Sequence, residues 1–438
     1  MSRFHRSLTL AAVSAAALIA AQGSAQAGAF GVREQSATAQ GYSFAGAASG
    51  SGRLSSMFWN PATITMAPGW QSENHLSIII PEVEITPRSG TPLSVLPLGP
   101  SGDIGQDAAL LAGYTSYQVN DRLWVGYSSS APYGLVTDPN QAWAGQTYSR
   151  SSKIFSLNFN PIVGFKVNEW LSIAGGPTVQ YFDVRLKQAA GFSPTSPSVI
   201  LDGDDIGFGF TAGLTLTPFA GTTIGVGFRS SVHHELEGSI DAPAGVFAPV
   251  AVNFPIKAKL NTPEQVTIGL SQAIGPAFTL HVGFEWTNWS RLKSPAIVNT
   301  AINRAVSDLP LNYEDGYMYS VGFDYRFNDR LTLRAGLAYE ESPITTETRS
   351  TRLPDDDRIW ASLGATYQWS EKLSFDVAYT HIFAANNTKI DIRPGHQDFN
   401  GLPFVADVDS NVNIISAAVR YRWDDPVKPI PAPIVRKN

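Results

Sequence analysis

The residues able to do chemistry are few, and most have a plainer explanation. The 438-residue chain carries seven histidines and no cysteine, which removes disulfides and thiolate metal sites from consideration. His281 and His381 each fall in a β pattern, but neither has a serine and an orienting carboxylate at a spacing that would assemble acyl-transfer chemistry. Gly207, Gly209 and Gly213 imitate a dinucleotide loop, yet they alternate with Phe208, Phe210 and Ala212 and no helix follows. Asp202, Asp204 and Asp205, and the run Asp355–Asp357, have the chemistry to hold calcium between anionic headgroups; solvated loop carboxylates are the simpler account. What remains are the arginines Arg229, Arg334 and Arg358, each on the polar side of an alternating segment. A guanidinium can hold a carboxylate through two hydrogen bonds. That carboxylate belongs either to a ligand or to a partner such as Glu285 or Asp324. No cofactor and no metal is expected.

These groups must be positioned by strands. Leu331, Leu333, Ala335, Leu337 and Tyr339 alternate with Thr332, Arg334 and Gly336; Phe278, Leu280, Val282, Phe284 and Trp286 alternate with Thr279, His281, Gly283 and Glu285. Period 2 held over about 10 residues is the pattern of a membrane-spanning strand. The spacing predicts about 14 such strands, near 70–86, 106–119, 122–135, 149–167, 170–187, 205–218, 222–238, 254–274, 277–291, 311–327, 330–344, 356–369, 372–386 and 408–423. Tight turns such as Asn120-Asp121, Asn168-Glu169 and Asn328-Asp329 alternate with long polar or Pro-rich connections. Outer-membrane barrels sort their loops in this way, and a soluble sandwich has no reason to. The start agrees: Arg3, His5 and Arg6, the apolar run Leu8–Ala21 and Ala25-Gln26-Ala27 read as a secretory signal over 1–27. A net charge of -6 gives nucleic acid no basic surface. Between signal and barrel, 28–69 is rich in Gly, Ala and Ser without a strand period, and is expected to fold as short turns plugging the lumen. The barrel occupies 70–423, and the Pro-rich stretch 424–438 is a periplasmic tail unable to extend the sheet. The fold class is all-β: a transmembrane antiparallel β-barrel with an N-terminal plug (hatch).

In this context, Phe58-Trp59-Asn60-Pro61-Ala62 closing a plug, Ala131-Pro132-Tyr133-Gly134-Leu135, Gly203-Asp204-Asp205 before Gly207-Phe208-Gly209-Phe210, Phe228-Arg229-Ser230, Glu285-Trp286-Thr287-Asn288-Trp289-Ser290 and Leu333-Arg334-Ala335-Gly336 occur in order across nearly all of the mature chain. Together they resemble the FadL/TodX family of outer-membrane transporters for long-chain fatty acids and other hydrophobic compounds. The resemblance implies a monomer of 14 strands in the outer membrane of a Gram-negative bacterium, surrounded by lipid and lipopolysaccharide. It also implies import of a hydrophobic small molecule through plug rearrangement and a lateral opening in the wall. The chain departs from the family where Trp423 is followed by a tail instead of ending the protein.

Residue by residue, the resemblance makes Asn60, Pro61 and Ala62 the gating part of the plug, and Pro132, Tyr133 and Gly134 a strand kink that opens the wall. Each group also has a local reading, as a structural turn and as a strand end. Phe30, Phe44, Met57 and Phe58 are candidate acyl-chain contacts, and Arg229, Arg334 and Arg358 candidate carboxylate partners. Trp360 points inward by parity, whereas Trp286, Trp289, Trp369 and Trp423 suit an interfacial girdle. The competing functions are an uptake channel for aromatic hydrocarbons, a general small-solute porin and, last, a lipid-acting barrel enzyme.

Overall fold

The structure, a computed structural model, describes residues 28–425; the expected signal segment and all but the first two residues of the tail lie outside the described residues. Fourteen antiparallel strands close on themselves. They are β1 (Trp70–Pro87), β2 (Ala108–Gln118), β3 (Leu123–Ser130 and Gly134–Thr137), β4 (Ser151–Lys166), β5 (Leu171–Ala189), β6 (Ser198–Leu216) and β7 (Thr222–Arg229 and His233–Ala242). There follow β8 (Val252–Asn261 and Gln265–Ile274), β9 (Phe278–Thr287), β10 (Gly316–Arg326), β11 (Leu331–Glu341), β12 (Arg358–Gln368), β13 (Leu373–Ala384) and β14 (Phe404–Arg422). Closure comes from β14 pairing with β1 along Gln71↔Arg422 to Pro87↔Ala406. A closed ladder leaves no strand edge to be satisfied in lipid.

The outward rows Leu333, Leu337, Tyr339 and Leu363, Val377, Tyr379 are exposed, while the inward Arg334, Trp360, Ser362 and Thr380 are buried. Each outward Leu or Val gains roughly 1.5–3 kcal/mol on leaving water for the bilayer without needing a tertiary partner. At the short-turn end Trp70 stacks on Trp423 with ring centroids 5.3 Å apart. Tyr117, Tyr367, Trp369 and Tyr421 continue this belt of amphipathic rings.

Several sequence expectations need correction. The strand placed from 205 begins at Ser198, and Asp202 to Asp205 pair along β5 up to Phe182↔Asp205. Above the bilayer both faces of a strand are wet, so alternation vanishes while the ladder continues. The spans 222–238 and 254–274 are each interrupted, at 230–232 and 262–264, where Thr262 donates its N–H to the Val232 carbonyl at 2.9 Å. Pro263 has no N–H for a ladder. Trp289 does not belong to the girdle. β9 ends at Thr287, the chain turns through Trp289–Arg291, and parity no longer applies; Trp289 is 2% exposed.

Residues 28–67 lie inside the barrel as short helical turns, Ala37–Gln40, Ala47–Ser49, Arg53–Phe58 and Pro61–Met66. They hydrogen-bond to the wall on all sides: Ala37 to His75, Ser43 to Ser362, Ser49 to Ser271 and Asn60 to Leu214. Glycines in the wall admit this backbone. A Cβ on Gly227 would fall 1.8 Å from the Trp59 carbonyl oxygen, and one on Gly336 2.1 Å from the Tyr42 carbonyl. Gly227→Val is therefore expected to cost about 1–3 kcal/mol. Faster hydrogen exchange confined to residues 56–64 would report it; unchanged protection there would count against the packing argument.

Candidate functional site

The wall is irregular at one place where two neighbouring strands part. The β2–β3 ladder runs from Gln118↔Trp124 to Gly113↔Ser129 and stops. Beyond it, Ala108 to Ala112 pair only with β1, while Gly134 to Thr137 pair only with β4, and a bridge at Gly105↔Thr137 closes the far end. Between these, Ala131 to Tyr133 turn inward, and the ladder bonds they give up go to the N-terminal segment. Val32 N–H donates to the Pro132 carbonyl at 2.8 Å and Gly134 N–H to the Phe30 carbonyl at 2.9 Å. Gln35 grips Ala131 twice, donating to its carbonyl at 2.8 Å and accepting from its N–H at 3.1 Å. Proline explains why the strand breaks here; the replacement partners explain why the break is stable.

Above this break lies a cavity of about 380 Å³, walled by the upper parts of β5 to β8 and by the 348–353 and 397–400 loops. Its apolar wall includes Phe182, Val184, Leu236 and Leu260, and Phe30 forms part of its lining. Phe30 also packs edge-on against Tyr133, Phe182 and Trp289, at 5.9, 6.3 and 4.8 Å between ring centroids. On the far side of Tyr133 and Trp289 is a smaller cavity of about 30 Å³, bounded by Pro132, Phe58 and Arg229. Phe30 thus sits between the large cavity and the strand break.

One arginine lines the large cavity, and sequence parity did not single it out. Arg352, half-buried on the loop between β11 and β12, donates from Nη2 to Gln188 Oε1 at 2.6 Å. Burial pulls its guanidinium down to about 10. Asp398 lines the same cavity with Oδ2 buried and without a hydrogen-bond partner, and burial pushes this carboxyl up to about 6. Loop residues show no period, so only the preference of a fatty-acid carboxylate for arginine could have drawn attention to Arg352 beforehand.

The arginines singled out by parity are engaged elsewhere. Arg334 donates from Nε to Tyr42 Oη at 2.8 Å and pairs with Asp376 at 3.0 Å. Arg358 pairs with Asp355, which is 2% exposed and therefore not a solvated loop carboxylate. Arg229 lies 3.9 Å over the Phe58 ring and donates to the Phe58 carbonyl at 2.6 Å, beside the small cavity. Phe44 packs between Trp59 and Trp360, Trp360 donates to Glu340 at 2.9 Å, and Met57 is buried in the same core. Of the expected acyl contacts, Phe30 lines the large cavity and Phe58 the small one.

Asn60, Pro61 and Ala62 form a helix start. Asn60 Oδ1 accepts from Ala62 N–H at 3.0 Å and Pro61 takes the first helical position, where no N–H is needed. Asn60 Nδ2 donates to the carbonyls of Ala48 and Leu214 at 2.7 and 2.8 Å, so one amide ties two turns of the segment to each other and the segment to β6.

A serine and an acid do meet His281 in three dimensions: Ser271 Oγ lies 2.8 Å from Nδ1 and Asp324 Oδ2 3.1 Å from Nε2. In a hydrolase the serine uses Nε2 and the acid Nδ1. Here the order is reversed, Ser49 caps Ser271 at 2.7 Å, and Gly46 packs directly over both, leaving no place for an acyl carbon. This is a satisfied polar network. Among the described residues no group of three His, Cys, Asp or Glu side chains is arranged to hold a metal ion. Asp205 instead faces His234 and Asp202 faces Ser239.

Comparison with known proteins bears directly on this geometry. The family described as outer membrane protein transport protein (OMPP1/FadL/TodX) matches residues 17–423. The long-chain fatty acid transport protein of Salmonella typhi is 25% identical over 386 residues, covering 81% of this chain and 87% of that one. The Escherichia coli protein of the same name is 24% identical over 408 residues, covering 84% and 90%. Among solved structures, a Pseudomonas aeruginosa FadL homologue has a TM-score of 0.79 at 22% identity over 90% of this chain and 100% of that one. The toluene transporter TodX of P. putida has a TM-score of 0.68 at 17% identity, over 89% and 99%. A closed barrel with an apolar cavity, matched over nearly its whole length, thus belongs to the OMPP1/FadL/TodX family of outer-membrane transporters of hydrophobic compounds, whose members are not enzymes.

Proposed function

We propose that this protein imports long-chain fatty acids, and that they leave sideways into the bilayer. The carrying observation is the mainly apolar cavity with Arg352 in its lining and Phe30 between it and the break at Pro132. The acyl chain lies along Phe182, Leu236 and Leu260, and Arg352 takes the carboxylate in place of Gln188. Residues 28–67 act as the plug. Withdrawal of Phe30 joins the two cavities, and the passage then reaches the gap between β2 and β3 beside Pro132, Tyr133 and Gly134. The relatives named as long-chain fatty acid transport proteins support the substrate.

An aromatic hydrocarbon would fit the aromatic lining but has no use for Arg352. A general porin would need an open lumen, and the burial of residues 28–67 against the wall supports an obstructed one. Uptake by cells expressing the protein should distinguish these readings. Radiolabelled laurate should accumulate several-fold above a vector control, and excess toluene should compete weakly. Toluene uptake without laurate uptake would replace the fatty-acid reading.

A further inference from the structure

The most unusual electrostatic feature of the barrel is a buried ionic cluster that does not balance. Arg33 pairs with Glu285 at 2.6 Å and with Glu340, and Arg358 pairs with Asp355. All five residues are at most 8% exposed. Arg229, 9% exposed and paired with no carboxylate of its own among the described residues, lies beside Glu285 on the same small cavity, so three guanidiniums meet these three carboxylates. Glu34 adjoins them, wholly buried, with neither carboxylate oxygen hydrogen-bonded. A buried carboxylate lacking its counter-charge is costly, so a further cation is to be expected, and the atom in position to supply it is the backbone nitrogen of Gly28. It lies 2.7 Å from Glu340 Oε1, and the next nitrogen, of Ala29, lies 2.9 Å from Asp355 Oδ2. A Cβ on Gly28 would fall 2.5 Å from Glu340 Oε1, so the nitrogen approaches this closely because the residue is glycine.

Gly28 is also the first residue after the A-x-A site read in the sequence. We propose that cleavage after Ala27 turns this nitrogen into a buried α-ammonium, and that Glu340 and Asp355 form its binding site. The count then becomes four cations, the ammonium with Arg33, Arg229 and Arg358, against Glu285, Glu340, Asp355 and Glu34. Removal of the leader would thus supply the charge that seats the N-terminal segment and, two residues on, sets Phe30 beneath the large cavity. An uncleaved precursor has only a neutral amide here and lacks that charge. The inference rests on the cleavage site and the cluster, and is independent of which substrate is carried.

The sign of one shift tests it. Burial alone disfavours the charged amine and lowers its pKa, whereas paired carboxylates raise it. The purified mature protein, in micelles, is exposed briefly to acetic anhydride over a range of pH, and acetylation of the N-terminal peptide is read by mass spectrometry. Restricted access slows the reaction at every pH but leaves its midpoint unchanged. The expected midpoint lies at least a unit above that of the unfolded chain, near 7.7–8.0, which means at least about fourfold less reactive amine at pH 8 and about tenfold less at pH 6.5. Glu340→Gln, which keeps an acceptor for an N–H, should bring the midpoint down. Should that variant fail to fold, the native-against-unfolded comparison decides alone. A mature chain beginning elsewhere than Gly28, or a native midpoint at or below the unfolded one, would overturn the proposal.

Discussion

Linking cysteines placed at Leu111 and Ala131 with a short thiol-reactive cross-linker is expected to reduce fatty-acid uptake at least tenfold while leaving a heat-modifiable barrel. The two positions continue the β2–β3 register one step beyond the last true pair on that face, Gly113↔Ser129, and so stand on either side of the gap. The same cross-link between Thr115 and Tyr127, which are paired in the intact ladder, should leave uptake unchanged. The size of the effect follows from where the acyl chain would otherwise go. Each methylene kept from water is worth about 0.8 kcal/mol, so a chain of ten loses about 8 kcal/mol if it must pass through an aqueous periplasm. A tenfold change requires only about 1.4 kcal/mol. Lateral exit is thus favoured by far more than is needed to dominate. Normal uptake in a verified cross-linked barrel would refute it and leave passage along the barrel axis.

Arg352→Ala should weaken binding of laurate by roughly tenfold to a hundredfold, with little effect on its methyl ester. A hydrogen bond to a charged group contributes about 1.5–3 kcal/mol, and the ester lacks the charge. Fluorescence competition on the purified protein would measure both; equal losses for acid and ester would make Arg352 a packing residue. Asp398 adds a pH dependence whose sign is set by its environment. Its carboxyl is raised to about 6, so the proton is held more tightly in the folded protein than in the unfolded chain. The stabilisation this gives is present at low pH and fades as pH rises through about 6. An anionic headgroup in the same cavity favours the neutral form further. Binding of an alkyl sulfonate, which stays ionised throughout, should therefore tighten between pH 7.5 and 5.5, and Asp398→Asn should flatten the profile.

The wall was legible from the sequence because its physics is local. Lipid outside and a polar interior impose period 2 on each strand by itself. The tight turns carry their own chemistry: Asn120, Asn168 and Asn328 each accept hydrogen bonds from the N–H groups two and three residues ahead. Pro132 marked a place where the ladder fails for want of a donor; Pro263 does the same inside the span 254–274, which the alternation alone carried through as one strand. The periodic signal ended where the bilayer ends, which is why Ser198 to Asp204 looked like loop and why Trp289 was assigned to the wrong surface.

Only closure of the barrel decided what the inward groups meet. Arg334 and Arg358 were correctly placed on the polar face, but their partners Tyr42, Asp376 and Asp355 are chosen by register and by the path of the N-terminal segment. Gly28 and Glu340 are 312 residues apart, and no local pattern connects them. Arg352 reaches the cavity from an aperiodic loop, facing side chains from strands on the opposite part of the ring. A strand's alternation states which side is inside; the meeting of two inward side chains depends on shear, closure and the chain folded within, which are properties of the whole barrel.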